Sequence, residues 1–270
     1  MTDFEQNNSM TAPVVACQGV QRIYQQDTVP VYALGGADLT INAGEFVSLA
    51  GPSGSGKSTL LNLLAGRVQP DAGKVLYRTA AGEIVDLAKA SEAIRRHLMR
   101  TEWGFVQQHA RDGLRMDFSA GANIGERLMA LGRKNYGELR QTALDWLQAV
   151  EIAPERIDHL PVTFSGGMQQ RLQIARNLVT RPRIVLMDEP TGGLDVSVQA
   201  KLLDLIRRLV QEHRIAAIVV THDLGVARLL AHRLMVMRRG EVVEAGLTDQ
   251  LLDDPQHEYT QLLVSSVLNV

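Results

Sequence analysis

Hydrophobic and polar residues follow one another along this chain in a pattern that predicts strands near both ends. Phe46–Ala50 and Ile184–Asp188 are almost continuously apolar, as expected of strands that are covered on both faces of a sheet. Residues 215–221 form a third such run, and residues 196–213 before it place apolar side chains at helical spacing along one face. This alternation of strands and helices predicts an α/β fold with a parallel-sheet core.

The segments before and between these runs have weaker patterns. Residues 14–47 are strand-like, with turns predicted at Gly35-Gly36 and at residues 42–44. Residues 91–161 are mainly helical in pattern, with a glycine-containing break at residues 111–122. We therefore expect a helical subdomain at about residues 91–161.

The N-terminal segment, residues 1–13, is polar and lacks both the basic start and the apolar centre of a secretory signal. We interpret it as a mobile tail. The chain from residue 14 to residue 270 is then predicted to be a single domain. No apolar stretch approaches the roughly 18 residues that a membrane span needs. We expect a cytoplasmic protein, unless a partner tethers it elsewhere.

Composition and charge narrow the classes of partner. Apolar residues make up 45% of the chain and charged residues 21%, which is typical of an ordinary globular protein. A net charge of −2 and few aromatic residues give no footprint for nucleic acid, so no nucleic-acid partner is expected. Cys17 is the single cysteine, which excludes an internal disulfide and a cysteine-rich metal site and fits a reducing compartment.

The strongest chemical signal is G-P-S-G-S-G-K-S at residues 51–58, which matches the phosphate-loop pattern G-x-x-x-x-G-K-[ST]. It follows a predicted strand and opens a predicted helix, so glycines and a helix N-terminus can direct backbone N–H groups at phosphate oxygens. Lys57 can reach the β- and γ-phosphates, and the Ser58 hydroxyl can ligate Mg²⁺. An accidental Gly/Ser turn is the alternative. The candidate nucleotide-binding residues here are Gly51, Pro52, Ser53, Gly54, Ser55, Gly56, Lys57, Ser58 and Thr59.

Two adjacent acids end the predicted strand at residues 184–188. The carboxyl ends of parallel strands are where open α/β sheets bind ligands. Asp188 can hold Mg²⁺ through water, and Glu189 can orient and deprotonate a water in line with the γ-phosphate. The alternative is a pair of acids that simply cap a strand at a solvated turn.

A second candidate anion site opens the helix that follows F-S-G-G-M-Q-Q-R at residues 164–171. Ser165, Gly166 and Gly167 stand at its start, where backbone N–H groups and the helix dipole favour an anion. One triphosphate has no evident use for two such sites unless they come from different copies of the chain. An ordinary serine N-cap followed by glycines is the alternative.

The order and spacing of these segments resemble a known family. S-G-G-x-Q-x-R about twenty residues before an apolar strand that ends in D-E-P is similar to the signature of ATP-binding-cassette (ABC) ATPases. The resemblance covers nearly everything from residue 14 to residue 268. It implies an ABC ATPase nucleotide-binding domain with antiparallel strands in its N-terminal part, a phosphate-loop core with a parallel sheet, and a helical subdomain. It also implies hydrolysis of ATP to ADP and phosphate, with ATP and Mg²⁺ bound between two copies arranged head to tail.

The resemblance assigns further residues one at a time. Tyr24 lies where the family has an aromatic that stacks on adenine; an ordinary strand tyrosine is the alternative. Gln108 resembles the glutamine that senses Mg²⁺, and Gln107 takes that place if the register is off by one. His222 resembles the histidine that contacts the γ-phosphate and acts with Lys57 and Glu189 in catalysis, although a lone histidine at a strand end is often structural.

Other positions match the family less closely. Residues 193–195 (G-L-D) resemble the loop that touches the opposing subunit. Met168 stands where many relatives carry glutamine, and Gly192-Gly193 where a Ser-Ala pair is common. Neither departure removes a phosphate contact, because Ser165 and the backbone N–H of Gly167 remain.

Two branches of the family compete for the partner. Residues 100–104, 112–115 and 121–129 look like the cassette ATPase of the bacterial phosphonate carbon–phosphorus lyase system, which implies soluble lyase subunits as partners; neutral variation in a surface loop is the other explanation. Residues 253–263 are similar to ATPases of peptide and nickel importers, which implies a membrane permease as the alternative partner. The second cassette is expected to be another copy of this chain or a related cassette ATPase. A cassette acting on DNA or ribosomes is disfavoured, because the chain has no sustained heptads.

Overall fold

The computed structural model of the chain describes residues 13–26 and 29–268. These residues form two compact units, the first within residues 1–95 and 216–270 and the second within residues 96–215. The tail predicted at residues 1–13 lies outside the described residues except for Pro13. That residue begins the first strand, so its assignment to the tail was wrong.

The first unit contains an antiparallel sheet and a mostly parallel group of strands. The antiparallel sheet has the order β2-β1-β4-β5, and the other strands have the order β10-β9-β3-β8, in which β3 is parallel to both of its neighbours. The strands of the antiparallel sheet are β1 (Pro13–Gln26), β2 (Val29–Asn42), β4 (Ala72–Arg78) and β5 (Ile84–Asp86). The others are β3 (Phe46–Ala50), β8 (Ala216–Val220), β9 (Arg233–Arg238) and β10 (Glu241–Leu247).

Burial explains why β3 and β8 form where the sequence predicts them. Every residue of both strands is buried, as their unbroken apolar runs require. Helices cover them, and Asp223 begins one of these by accepting hydrogen bonds from the backbone N–H groups of Gly225 and Val226. The helices of this unit are α1 (Lys57–Leu64), α8 (Leu224–Leu230), α9 (Thr248–Asp253) and α10 (Glu258–Leu268).

The turn predicted at Gly35-Gly36 was wrong, because β2 continues through both glycines. Gly36 has a φ of +124°, a conformation that favours glycine. The pairing of β1 with β2 passes from Val20–Ala37 to Gln21–Gly35, so Gly36 is an extra residue and forms a β-bulge. The N–H of Gly35 donates to the carbonyl of Gly240 at 2.9 Å, which ties the bulge to the β9–β10 turn. The turn predicted at residues 42–44 is present.

The second unit is mainly helical around two parallel strands, β6 (Trp103–Val106) and β7 (Ile184–Asp188). Side-chain oxygens of Ser119, Asn135 and Ser165 cap three of its helices. The helices from residue 92 to residue 212 are α2 (Glu92–Thr101), α3 (Ala110–Gly113), α4 (Ala120–Ala130), α5 (Tyr136–Ala149), α6 (Gly166–Leu178) and α7 (Val196–Glu212). Two 3₁₀ turns, Pro154–Asp158 and Pro161–Thr163, precede α6.

The helical pattern at residues 91–161 missed β6, because four residues are too few to show a period. The break predicted at residues 111–122 is also only partly irregular, since α3 and the first residues of α4 fall inside it. The mixed α/β class, with antiparallel strands in the N-terminal part, is confirmed. Within residues 13–26 and 29–268, no helix combines the length and the apolar character that crossing a bilayer demands.

Candidate nucleotide-binding site

The phosphate loop of the first unit joins β3 to α1 through glycines in a conformation that other residues rarely adopt. The φ angles of Gly51, Gly54 and Gly56 are +146°, +77° and +101°. A Cβ atom on Gly51 would lie 2.2 Å from the carbonyl oxygen of Met237, and one on Gly56 would lie 2.3 Å from that of Ala33. The loop therefore requires glycine at both ends for conformation and for space.

Lys57 is buried at the start of α1, and its ammonium lies inside the loop. Its Nζ donates to the carbonyl oxygens of Gly51 at 2.9 Å and of Pro52 at 2.8 Å. The N–H of Gly240 donates to the carbonyl of Ser55 at 3.0 Å and so fixes the outer side of the loop. A cation and a helix N-terminus thus coincide in a rigid loop, an arrangement that attracts phosphate. Pro52, Ser53, Gly54 and Ser58 are exposed to an incoming ligand, and Thr59 is half-buried.

Tyr24 lies on β1 of the same unit and is 38% exposed. The guanidinium of Arg22 lies over its ring at 4.8 Å from the centroid. Arg22 is itself held by Asp71, whose Oδ1 accepts from Nη1 at 2.9 Å and whose Oδ2 accepts from the N–H of Ile23 at 2.7 Å. The ring is therefore an exposed, oriented aromatic surface, as stacking on a base requires.

His222 follows β8 in an exposed turn whose ends are fixed. The N–H of Asp223 donates to the hydroxyl of Thr221 at 3.0 Å, and the carboxylate of Asp223 caps α8. The structure therefore presents His222 on a rigid turn just beyond the carboxyl end of a buried strand, two residues after Val220.

The second unit brings Gln108 and Glu189 into contact at the carboxyl ends of β6 and β7. The Nε2 of Gln108 donates to Oε2 of Glu189 at 3.1 Å. The neighbouring Gln107 uses its backbone differently, since its N–H donates to Oε1 of Gln173. This contact favours Gln108 over Gln107 as the candidate for the Mg²⁺-sensing glutamine, a choice that the sequence left open. Asp188 ends β7 and is half-buried.

The sequence identified Gly192 only as a departure from the family pattern. The structure shows a local reason for a glycine at this position. A Cβ there would lie 3.2 Å from the carbonyl oxygen of Glu189 and 3.4 Å from Cγ of Gln108. The N–H of Gly192 donates to that carbonyl at 2.9 Å. Gly192 therefore lets the turn after Glu189 pack closely against Gln108.

The serine–glycine segment stands at the exposed N-terminus of α6. The hydroxyl of Ser165 accepts from the N–H of Met168 at 3.4 Å, so the serine is an N-cap, and Ser165 and Gly166 are exposed. A Cβ on Gly167 would lie 2.7 Å from Cγ1 of Val198 on α7, which requires glycine there. The structure therefore gives Ser165 a capping role at an exposed helix N-terminus.

The loop at residues 193–195 leads into α7. The side-chain amide of Gln199 holds it by donating to the carbonyls of Thr191 at 3.3 Å and Leu194 at 3.0 Å. Val196, the first residue of α7, is 82% exposed. An apolar side chain therefore projects into solvent beside a fixed loop.

The candidate metal ligands suit Mg²⁺. Ser58 offers a hydroxyl, Asp188 a carboxylate, and Gln108 an amide oxygen, and oxygen donors are the ligands that Mg²⁺ prefers. In the described part of the chain, no three His, Cys, Asp or Glu side chains group together as a metal site of their own.

Comparison with known proteins adds to this geometry. Residues 34–192 match the family described as ABC transporter. The chain is 57% identical to the putative phosphonates utilization ATP-binding protein PhnK of Escherichia coli K12, across 96% of this chain and 99% of that one. It is 35% identical to a putative peptide import ATP-binding protein of Brucella melitensis, across 94% of this chain and 78% of that one.

Solved structures show the same likeness. A dimeric structure of a post-hydrolysis state of the ATP-binding cassette MJ0796, bound to ADP and Pi, superimposes with a TM-score of 0.77 at 33% identity. The superposition covers 87% of this chain and 98% of that one. A second dimeric structure of the same cassette gives a TM-score of 0.78.

Proposed function

Because the chain belongs to the ABC transporter family and is an ABC-type ATPase, we propose that two copies of it enclose two Mg·ATP and drive a conformational change in the phosphonate carbon–phosphorus lyase complex. The observation that carries the choice of pathway is the 57% identity to a phosphonates utilization protein over nearly the whole of both chains.

The phosphate loop holds the triphosphate in this proposal. Loop N–H groups and the N-terminus of α1 bind phosphate oxygens, and Lys57 turns its ammonium from the loop carbonyls to the β- and γ-phosphates. Tyr24 stacks on the adenine with the ring that Arg22 orients. The glycines that the phosphate loop requires support the first assignment, and the exposed aromatic ring of Tyr24 supports the second.

The residues around Glu189 carry out hydrolysis. Glu189 orients and deprotonates the attacking water, with its carboxylate directed by the amide of Gln108. His222 contacts the γ-phosphate from the turn after β8. Ser58, Gln108 and Asp188 would hold Mg²⁺, which supplies neutralisation of phosphate charge when bound.

The serine–glycine turn completes the nucleotide site in trans. Ser165, Gly166 and Gly167 contact the γ-phosphate of the nucleotide that the other copy holds in its loop. The exposure of Ser165 and Gly166 at the start of α6 supports this assignment, as does the dimeric state of the solved relatives. ATP then closes the dimer, and repulsion between the products reopens it.

Glu189→Gln tests the catalytic assignment. The variant keeps the shape of the side chain but cannot accept a proton, so we expect it to bind ATP, to lose turnover by at least a hundredfold, and to accumulate as an ATP-bound dimer. Light scattering after gel filtration measures the dimer, and phosphate release measures turnover. Glu155→Gln, the same change at an exposed position, is the control and should behave as the parent. A Glu189→Gln variant that hydrolyses ATP at the parent rate would refute the assignment.

A groove in the second unit is the proposed docking place for the partner. Its volume is about 400 Å³, and it is lined partly by residues from the segments that the sequence linked to partner identity. Phe118, Met129 and Tyr136 line it and are 45%, 61% and 73% exposed. Arg115 also lines it and pairs with Glu126 at 2.7 Å. A groove lined by both apolar and charged side chains suits a protein partner.

Co-purification from cells that express the lyase subunits tests the partner. We expect those soluble subunits to be retained by the tagged parent and lost from Met129→Glu, which places a charge beside the exposed apolar side chains of the groove. Leu262→Glu, at a 65% exposed position on α10, is the control and should retain them. Retention of a multi-span permease instead would support the importer alternative, which the 35% identity to a peptide import protein favours.

A further inference from the structure

Helix α6 carries four buried amide side chains, an unusual load for one helix. Buried amides need hydrogen-bond partners, so their contacts show what the helix is built to hold. Three of the four contact β6 or the residue after it, and Gln169 bonds instead to the carbonyls of Pro161 and Phe164. The four residues are Gln169, Gln170, Gln173 and Asn177, with exposures of 6%, 3%, 0% and 7%.

These amides hold the backbone of β6 and of Gln107 directly. The N–H of Phe105 donates to Oδ1 of Asn177 at 3.0 Å, and the N–H of Gln107 donates to Oε1 of Gln173 at 2.5 Å. The carbonyl of Gln107 accepts from Nε2 of Gln170 and from Nε2 of Gln173, each at 3.2 Å. Both polar groups of the Gln107 backbone are therefore bound by α6.

The same amide of Gln173 also supports the far end of the segment that contains Gln108. A Cβ atom on Gly113, the last residue of α3, would lie 2.2 Å from Oε1 of Gln173. Glycine at 113 is therefore required for α3 to approach that amide. Gln173 contacts the segment before Gln108 and again after it.

We propose that Gln173, assisted by Gln170, is a positioning residue that couples the start of α6 to the Gln108–Glu189 contact. Ser165–Gly167 and Gln173 are on one rigid helix, about two turns apart. A displacement of α6 by a nucleotide at its N-terminus is thereby passed to the Gln107 backbone and to the amide that directs Glu189. The inference rests on the proposed roles of Ser165, Gln108 and Glu189.

Hydrogen exchange on the nucleotide-free protein tests the contact itself. Gln173→Met keeps the length of the side chain but leaves the Gln107 N–H without its acceptor. We expect the exchange of that N–H to become at least tenfold faster, with the exchange of β7 unchanged. An unchanged rate at Gln107 overturns the proposal, because the N–H would then be held by something other than this amide.

Steady-state ATPase kinetics test the functional consequence. We expect Gln173→Met to lower kcat about tenfold or more and to change the Kd for ATP less than twofold, since the phosphate loop is in the other unit. Gln170→Met, which removes only one of the two donors to Gln107, should lower kcat by a smaller factor. Gly113→Ala should reproduce Gln173→Met, whereas Gly137→Ala on α5, where a Cβ meets only Oδ1 of Asn135 at 3.4 Å, should leave kcat unchanged.

Two further variants separate this inference from its alternatives. Leu178→Ala, on the same helix, controls for lost stability: it should lower Tm without the tenfold loss of kcat. If Leu178→Ala and Gln173→Met have the same Tm and lose kcat equally, then Gln173 has only a structural role. If Glu189→Gln is inactive and Gln173→Met is fully active, only the coupling through Gln173 is overturned. If Glu189→Gln is active, the proposed function itself is overturned.

Discussion

At the scale of single residues, the backbone at Glu189 is the feature most closely tied to chemistry. Its φ of +42° lies in the left-handed region, which costs a non-glycine residue on the order of 1 kcal/mol or more. The hydrogen bonds from Gly192 to its carbonyl and from Gln108 to its carboxylate hold this conformation. Among the described residues, five that are not glycine have a positive φ, and Glu189 is the one of them proposed to activate water.

Substitution of Tyr24 separates stacking from the rest of nucleotide binding. An aromatic contact contributes about 1 kcal/mol, so we expect Tyr24→Leu to raise the Kd for ATP about fivefold. Tyr24→Phe should stay within twofold of the parent, because it keeps the ring beside Arg22. Titration with a fluorescent ATP analogue measures both values.

Tyr32→Leu is the control for that measurement, since Tyr32 is 60% exposed on the adjacent strand. It should bind ATP as the parent does. Equal weakening by Tyr24→Leu and Tyr32→Leu would contradict a specific stacking role for Tyr24.

The sequence could predict some of these residues and not others, for a physical reason. The phosphate loop is a local motif, so its glycines and Lys57 could be identified from eight consecutive residues. Gln108 could not be chosen over Gln107 in this way, because its partner Glu189 is 81 residues away. The close packing at Gly192 was hidden for the same reason, since the neighbouring atoms include those of Gln108.

At the scale of elements, the packing of α6 on α7 fixes the serine–glycine turn. Gly167→Ala would place a Cβ 2.7 Å from Cγ1 of Val198, and we expect this to cost about 1–3 kcal/mol of stability and to lower ATPase activity. Val198→Ala should restore most of the stability in the double variant because it removes that methyl group. Urea unfolding measures the effect.

Gly166→Ala is the comparison for stability, because its Cβ would meet only Leu194 at an ordinary 3.7 Å. It should unfold at nearly the parent urea concentration. A double variant no more stable than Gly167→Ala would show that the crowding lies elsewhere.

The contact between β10 and the start of α10 predicts a pH dependence. Glu244 accepts hydrogen bonds from the N–H groups of Gln256 at 2.9 Å and His257 at 3.1 Å. Burial raises the pKa of this carboxyl, but hydrogen bonds to the carboxylate outweigh it, so the pKa lies below its ordinary value of 4.5. The stabilisation is therefore complete above pH 4.5 and is lost as the pH falls through the lowered pKa.

We expect Glu244→Gln to lower the free energy of unfolding by about 0.5–1 kcal/mol relative to the parent at pH 7. The effect is small because the carboxylate is partly exposed. The difference should shrink as the pH is lowered below 4. Urea midpoints at pH 7 and pH 3.5 measure it, with Glu241→Gln at the first residue of β10 as the control. A difference that grows at low pH would contradict the sign.

Strands and helices could be predicted from the sequence where an apolar run or a helical periodicity was unbroken. Phe46–Ala50 and Ile184–Asp188 form strands with the predicted ends, since their apolar runs stop at a glycine turn and at acids. The turn predicted at Gly35-Gly36 failed because paired glycines mark a bulge as well as a turn. The pairing of β2 with β1 on both sides of Gly36 distinguishes the two, and the glycine pair alone does not reveal that pairing.

At the scale of the whole molecule, the residues proposed to act on ATP are distributed over two compact units. The first contains the phosphate loop, Tyr24 and His222, and the second contains Gln108, Glu189 and the start of α6. A sequence read alone could place each residue at the end of its own strand or helix. Only the family resemblance predicted that a second copy of the chain is needed. Pairing with that second copy is the part of the proposal that can be tested most directly.

Val196 provides this test, because it is 82% exposed beside the loop at residues 193–195. If the loop lies between the two copies as proposed, an apolar residue there stabilises the dimer by leaving water, and a charge there opposes it. In the Glu189→Gln background, we expect Val196→Arg to raise the Kd of the ATP-bound dimer at least tenfold. ATP binding to the separate chain should be unchanged, since the phosphate loop is in the other unit.

Sedimentation velocity over a range of protein concentrations, with ATP and Mg²⁺ present, measures that Kd. Leu262→Arg in the same background is the matched control, an apolar-to-cation change at a 65% exposed position on α10. It should dimerise as its parent does. If Val196→Arg dimerises as tightly as Leu262→Arg, then the two copies do not meet at the start of α7. The head-to-tail arrangement would then lose its support, because Gly167 packs against Val198, two residues after Val196.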